Sequence, residues 1–363
     1  MPFRNVVVLA DRLDRGQAFA EAARTVSRCR IAGYPEKWAD YDSVQGVIAD
    51  VSLGQAEARH CLKALSSRLD GQRLPLIYIT RTRHSDELKE AERHGATACF
   101  PAWMLPGEVV SGLFRQIAPE KTMTDLLVEH NFDRAELLFT NMLEAGQAGR
   151  VNPFAVEDEI DPILKAVREG GLQRWLDLVQ AHDNMTVRHC LLVAGLVANF
   201  GIHLRLSTVD RATLLRAGIM HDVGKARIPL EILNKPGSLT AEEMSVMRTH
   251  AELGHEMLLA SGMSDVVALA ATRHHHEMLD GSGYPDGLRQ DEITDMVRLL
   301  TVCDIYAALT EHRPYRSAMP QIKALGILRS MTPNRLETAI VEAFAASLAN
   351  RAPSKVSSQM MRV

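Results

Sequence analysis

Five histidines and two aspartates carry most of the chemistry legible in this chain: His189, His221, Asp222, His250, His275, His276 and Asp304. Imidazole and carboxylate together suit first-row transition metals. Seven such groups exceed what one ordinary ion takes, so the set points to two divalent ions sharing a bridging carboxylate. A two-metal site can clamp both the attacking and the leaving oxygen of a phosphoester, so hydrolysis of that bond is the chemistry implied. Singly, each residue has a bland alternative. His189 and His250 sit on apolar helix faces, where a histidine is usually a satisfied core residue. His221-Asp222 ends the apolar run LLRAGIM. A C-terminal His suits the helix dipole, but an Asp there opposes it. Asp304 lies in LLTVCDIYAAL, where a buried carboxylate is costly unless paired or metal-bound.

The elements that must position these residues are helical. From 181 onward no convincing strand appears, and helices are expected over 182–200, 208–221, 265–276 and 294–310. Thr240-Ala-Glu-Glu243 is a capping box, which starts a helix expected to run to about Leu259. Gly224-Lys225 turns the chain beside His221-Asp222, and Gly254 leaves room one turn after His250. The expected class here is all-α, over 181–363.

The first 118 residues alternate apolar runs with helical patterns. NVVVLA (5–10), GVIA (46–49), PLIYIT (75–80) and 96–100 read as buried strands, with helices over 55–69 and 85–94 between them. Such alternation implies parallel crossovers and a doubly wound α/β sheet. Asp11, Asp50 and Thr80 fall at carboxyl ends of strands, where functional groups collect in such sheets. They either form a site or cap strand ends and turns. Between the two domains, 119–180 reads as a helical linker with Leu127, Phe132, Leu138 and Met142 on one stripe. VNPF breaks it, and Asp161-Pro162 marks a further helix start. The stripe packs either on a second copy of the chain, making a homodimer, or on its own domain.

Bulk properties bound the partners. The net charge is −4 and no basic tract advertises a nucleic acid polymer. Cys29, Cys61, Cys99, Cys190 and Cys303 form no CxxC pair, so neither a zinc ribbon nor a disulfide framework is indicated. The first residues, with a short apolar run before an acid, are not expected to act as a secretory signal. No apolar stretch approaches the roughly 20 residues that span a bilayer, so membrane insertion is not expected. A cytoplasmic protein is the expectation.

Two resemblances sharpen this reading. The N-terminal pattern resembles a response-regulator receiver domain, with Asp50 as the phosphate acceptor, Asp11 as one of the metal-binding acids and Thr80 as the hydroxyl residue after strand four. The resemblance implies Mg2+ at that site and a sensor histidine kinase or other signalling partner. Two features depart from it: Ala10 replaces the second acid, and CFPAWML lacks the lysine after strand five. The segments HDVGKARIP, HHHEMLDGSGYPDGL and DIYAALTEHRPYR, between about Asp183 and Arg316, resemble the HD-GYP phosphohydrolases, which cleave cyclic di-GMP to the linear dinucleotide pGpG and in some members onward to GMP. That resemblance implies iron or manganese. His189, His221, Asp222 and Asp304 are implied to hold one ion, and Asp222, His250, His275 and His276 the other, with Asp222 bridging. Lys225 is implied to stabilise phosphoryl charge, Gly283, Tyr284 and Pro285 to border the substrate, and Arg313 and Arg316 to meet its second phosphate. Met185 stands where three-metal members carry a glutamate, so two ions are expected. Ala307 replaces an aspartate of the family's DxxDAL, which implies reduced activity. The expectation is a cyclic di-GMP phosphodiesterase regulated by the receiver-like domain. The alternatives are a weakly active or inactive cyclic-dinucleotide-binding adaptor that works through protein partners, and an enzyme acting on another cyclic nucleotide.

Overall fold

Short Val- and Ile-rich runs at the N-terminus form strands because both of their faces are buried, and the longer amphipathic stretches between them form helices. The computed structural model describes residues 4–33, 43–66, 74–82, 85–312 and 318–349. The chain divides into two units, Met1–Asp133 and Arg134–Val363.

In the first unit the strands are β1 (Asn5–Ala10), β2 (Arg28–Ala32), β3 (Val44–Asp50), β4 (Leu76–Thr80) and β5 (Ala98–Pro101). They form one parallel sheet of order β2-β1-β3-β4-β5. The helices are α1 (Leu13–Arg24), α2 (Ala56–Ser66), α3 (Ser85–Arg93) and α4 (Pro106–Ile117). Ala58, Leu62 and Leu65 of α2 pack with Val7, Leu9, Val47 and Tyr78 in one buried cluster. On α4, Leu113 and Ile117 crowd the Cα of Gly46, where a Cβ would come within 2.7 Å of Ile117 Cδ1. The doubly wound α/β reading therefore holds, with one strand added. RCRIA alternates exposed and half-buried positions along β2 at the sheet edge, so it lacks the continuous apolar run that betrays its neighbours.

The second unit is helical among the described residues, apart from an isolated bridge between Asp280 and Arg289. α5 (Met123–Gln147) crosses the division between the units. Leu127, Phe132, Leu138 and Met142 are all buried within the chain itself. α6 (Glu157–Gly170) starts earlier than Asp161-Pro162 suggested, with Pro162 inside it. Three acids in its first turn favour a helix start there. Pro162 cannot donate to the carbonyl of Asp158, which instead accepts from Arg134 Nη2 at 3.0 Å.

Next come α7 (Leu172–Gln180), α8 (Met185–His203), α9 (Thr208–Met220), the short α10 (Leu230–Leu233), α11 (Ala241–Arg248), α12 (His250–Ala260) and α13 (Val266–His274). α14 (Asp295–Thr310), α15 (Gln321–Ser330) and α16 (Thr338–Ala349) complete the unit. Thr240 and Glu243 do form the capping box. The stretch it begins is broken at Thr249 into α11 and α12, rather than running unbroken to Leu259.

α8 is apolar on nearly all sides because it is the central helix, packed by α6, α7, α9, α14 and α16. By length and composition it could cross a membrane, contrary to the sequence expectation, but 78% of that window is buried inside the protein. Trp175 of α7 is fully buried against it and donates Nε1–H to the Leu191 carbonyl at 2.8 Å. Gly195 makes the space, since a Cβ there would lie 2.3 Å from the indole.

Candidate metal centre

The seven residues come from five helices or their ends and converge on one place. α8 carries His189. α9 is capped by Ser207, whose hydroxyl accepts from Asp210 N, and it ends at His221 with Asp222 just beyond. α12 begins at His250, α13 ends into His275 and His276, and α14 carries Asp304. Two glycines lock three of these elements together. A Cβ on Gly224 would lie 1.9 Å from the His250 carbonyl and 2.5 Å from Gly254 N. One on Gly254 would lie 2.8 Å from Thr272 Cγ2. The Gly that follows His221-Asp222 thus permits backbone contact with the helix bearing His250. Thr301 of α14, one turn before Asp304, donates to the His275 carbonyl at 2.9 Å.

Each side chain is then aimed by its own helix. His221 Nδ1 lies 2.7 Å from the Gly218 carbonyl, and His250 Nδ1 lies 2.7 Å from that of Met247. His275 Nδ1 lies 3.0 Å from the Ala271 carbonyl. A carbonyl accepts only, so Nδ1 carries the proton in all three and Nε2 presents a lone pair inward. His250 Nε2 and His275 Nε2 face each other at 3.3 Å. Two lone pairs at that distance repel unless a cation lies between or beside them. His221 Nε2 and Asp222 Oδ1 are buried without a hydrogen-bond partner. Such orphaned acceptors are costly in an apolar interior and fit metal ligation.

Asp222 stands between two histidine groups. Its Oδ2 is 3.2 Å from His221 Nε2 and 3.5 Å from His189 Nε2. Its Oδ1 is 3.3 Å from His250 Nε2 and 3.7 Å from His275 Nε2. One oxygen facing each group is the geometry of a bridging carboxylate. Asp304 also spans them: Oδ1 lies 3.0 Å from His189 Nε2, and Oδ2 lies 3.7 Å from His276 Nδ1. Three overlapping sets have ligand atoms close enough to hold an ion: His189, His221 and Asp304; His221, Asp222 and His275; and His250, His275 and His276. Lys225 Nζ lies 2.5 Å from Asp222 Oδ2, so this ammonium sits against the central carboxylate.

Apart from that of His221, the protonation directions suit ligation. Burial pushes His250 down and His275 well down, and lowers His276 to about 3, which keeps these imidazoles neutral. Burial opposes the charge on Asp222, but Lys225 and His221 outweigh it and hold the carboxyl well below its usual range. For Asp304, burial is likewise outweighed by His189, and its carboxyl is also lowered. His221 is raised because Asp222 and Asp304 outweigh its burial.

The GYP segment adjoins the cluster. The Tyr284 ring stacks on His276 with centroids 4.7 Å apart, and Tyr284 N donates to the His276 carbonyl at 3.3 Å. A Cβ on Gly283 would lie 2.4 Å from Glu277 Cα. Pro285 follows Tyr284 through a cis bond. Met185 is the first residue of α8, half-buried, and Ala307 is fully buried in α14. Arg313 and Arg316 lie outside the described residues.

Residues that sequence reasoning missed also border the cluster. Glu277 is buried beneath the GYP segment. Glu311 is buried with Oε2 3.8 Å from His189 Nδ1. Arg248 lies over the Tyr284 ring at 5.1 Å. The signal for Glu311 was available, since an acid directly after an apolar helix needs a reason. Nothing in the local pattern marks Arg248.

In the first unit, Asp50 is buried at the end of β3 and Thr80 at the end of β4. Asp11 Oδ2 accepts from Ser52 N at 2.8 Å. Arg81, also missed, pairs with Asp50 Oδ1 and places Nη1 3.7 Å from Asp11 Oδ2.

The pattern of the helical unit has known counterparts. A protein-family model described as "HD domain" matches residues 173–340. That segment is similar to an HD domain. The matched segment holds all seven of the converging residues. The chain is similar to a cyclic di-GMP phosphodiesterase of Pseudomonas aeruginosa, 34% identical over 273 residues, covering 72% of this chain and 63% of that protein. It is also similar to 3'3'-cGAMP-specific phosphodiesterase 3 of Vibrio cholerae, 40% identical over 170 residues, covering 47% of this chain and 36% of that protein. The chain therefore spans less than two thirds of either relative. Among solved structures, an HD-GYP-type protein of Bdellovibrio bacteriovorus shares the fold, with TM-score 0.53, 14% identity, and coverage of 74% of this chain and 82% of that one.

Proposed function

We propose that the chain is an HD-GYP phosphodiesterase that hydrolyses cyclic di-GMP to linear pGpG, and onward to GMP if the linear product rebinds. The observation that carries the reading is Asp222, with one oxygen toward each of two histidine groups whose Nε2 lone pairs are fixed inward. The similarity to phosphodiesterases of two cyclic dinucleotides supports the substrate class. His189, His221, Asp222 and Asp304 would hold one ion, and Asp222, His250, His275 and His276 the other. Imidazole and carboxylate suit first-row divalent metals, and the resemblance to the HD-GYP phosphohydrolases implies iron or manganese. Bound there, two divalent ions would supply Lewis acidity toward a phosphodiester and lower the pKa of water.

The chain's own groups do the rest. The helix carbonyls at Gly218, Met247 and Ala271 hold the His tautomers. Lys225 offers an ammonium to phosphoryl oxygens once ions share the charge of Asp222. Tyr284, stacked on His276, presents an aromatic face at the site for a base. Arg313 and Arg316 remain candidates for the second phosphate. Regulation by the first unit would act through Asp50. Because Arg81 already pairs there, Mg2+ binding or phosphorylation at Asp50 requires that guanidinium to move.

The test is incubation of Mn2+-loaded full-length protein with cyclic di-GMP and, separately, 3'3'-cGAMP, followed by separation of products. Linear pGpG or GMP from cyclic di-GMP supports the reading. Cleavage of 3'3'-cGAMP alone would change the substrate. Binding of either dinucleotide without turnover would favour the adaptor, the role that Ala307 in place of an acid makes the main rival.

A further inference from the structure

Glu277 follows the ligand histidines, and its carboxylate engages the backbone of the segment beyond Tyr284. It is 2% exposed. Its Oε1 accepts from Asp286 N at 2.7 Å and Gly287 N at 2.9 Å, and its Oε2 accepts from Leu288 N at 3.1 Å. Three successive backbone N–H groups thus close on one carboxylate. Such charge-assisted bonds are roughly twice as strong as neutral ones. The other side of the loop is held by contact, since Gly283 lies so close to His276, Glu277 and Met278 that any side chain there collides with their backbone. Between these two fixings, Tyr284 has its ring on His276 and its N–H on the His276 carbonyl.

We propose that Glu277 is a positioning residue: by gripping residues 286–288 it clamps the Gly283–Pro285 turn onto His276, and so sets both the aim of that ligand and the place of the Tyr284 ring. The proposal rests on the metal-site reading above. His276 needs this help more than its neighbours do. His221, His250 and His275 are each aimed by a carbonyl of their own helix. His276 lies past the end of α13, and the ring contact with Tyr284 stands where the others have a carbonyl. A carboxylate is required rather than any polar group. A glutamine in the same place keeps one acceptor oxygen but turns an NH2 toward the Leu288 N–H.

The experiment compares wild type, Glu277→Gln and Glu277→Ala as full-length proteins. Hydrogen exchange reads the amides of 286–288, competition with a chelator reads the affinity for Mn2+, and steady-state kinetics read KM and kcat on cyclic di-GMP. Expected for Glu277→Ala are fast exchange at 286–288 with protection kept in α8 and α9, and a loss of Mn2+ affinity of about 10-fold. KM is expected to rise by about 10-fold while kcat changes less. Glu277→Gln should fall between, and it carries the test if the alanine variant does not fold. Opening of 286–288 with Mn2+ affinity and KM unchanged would overturn the proposal, because the loop would then be independent of the site. A wild-type protein without turnover would count against the phosphodiesterase reading, and the Mn2+ and exchange data would still decide the role of Glu277.

Discussion

Both units of the chain bury an aspartate at the end of a core element, and they neutralise it differently. Asp50 ends β3 and meets the Arg81 guanidinium, with Arg15 Nε at 3.9 Å. Asp222 follows α9 and meets Lys225 together with four imidazoles, those of His189, His221, His250 and His275. A guanidinium keeps its proton at any working pH and has no lone pair to offer a metal. A neutral imidazole offers one. The first pocket is therefore filled by a cation built into the chain, and the second is lined with groups that can take a cation from outside. The same burial of acid gives a closed ion pair in one unit and a metal-competent cluster in the other.

The largest effect is expected where this contrast is removed from the helical unit. Asp222→Ala leaves Lys225 facing buried histidines without its partner, which should cost about 3–5 kcal/mol in the metal-free protein. It should also reduce the Mn2+ bound per chain. Urea denaturation and metal analysis check this, and a loss under about 1 kcal/mol would mean Lys225 finds solvent instead.

Arg81→Ala breaks the other pocket. The Arg81 side chain is 32% exposed, so the loss should be smaller, about 1–2 kcal/mol. The sharper expectation is a gain: Mg2+ should raise the Tm of the variant and leave that of the wild type unchanged. An equal response of both proteins would show that Arg81 does not block the carboxylates.

Acid should separate the pockets further. His250, His275 and His276 are lowered by burial, His276 to about 3, so the unfolded chain takes up protons at these positions below about pH 6.5 while the native state does not. Stability of the metal-free protein should therefore fall as the pH drops from about 6.5 toward 3, reduced in part by His221, which is shifted the opposite way. Thermal melts across that window, with and without a chelator, read it. Loaded metal should hold the curve flat until the ligands are protonated. The smallest effect belongs to Asp286, at the edge of the GYP loop. Hydrogen bonds from Arg273 lower its carboxyl to about 2, so its contribution is present above about pH 4 and lost as the pH falls toward 2. Asp286→Asn should flatten that part of the melt curve by a small amount.

Much of this was legible in the residues alone because the signals were local. Thr240 and Glu243 capped the helix expected of them, the apolar runs made strands, and seven buried acids and imidazoles on helices had to meet partners. What was not legible depended on neighbours far along the chain. β2 was hidden because an edge strand with Arg28 and Arg30 does not need an apolar run. Arg81 immediately follows Thr80 and reads as a loop cation until the fold places it against Asp50. Glu277 looked like one more residue of HHHE, and only the return of residues 286–288 gives its carboxylate three donors. The close approach of Gly224 to Gly254 is likewise a fact of packing between helices.

The central claim is tested most directly by anomalous diffraction at the manganese edge from crystals of the Mn2+-loaded full-length protein. Two peaks are predicted, one on each side of Asp222, the first within reach of His189, His221 and Asp304 and the second within reach of His250, His275 and His276. A single peak bound by only one of these groups, or none, would contradict it.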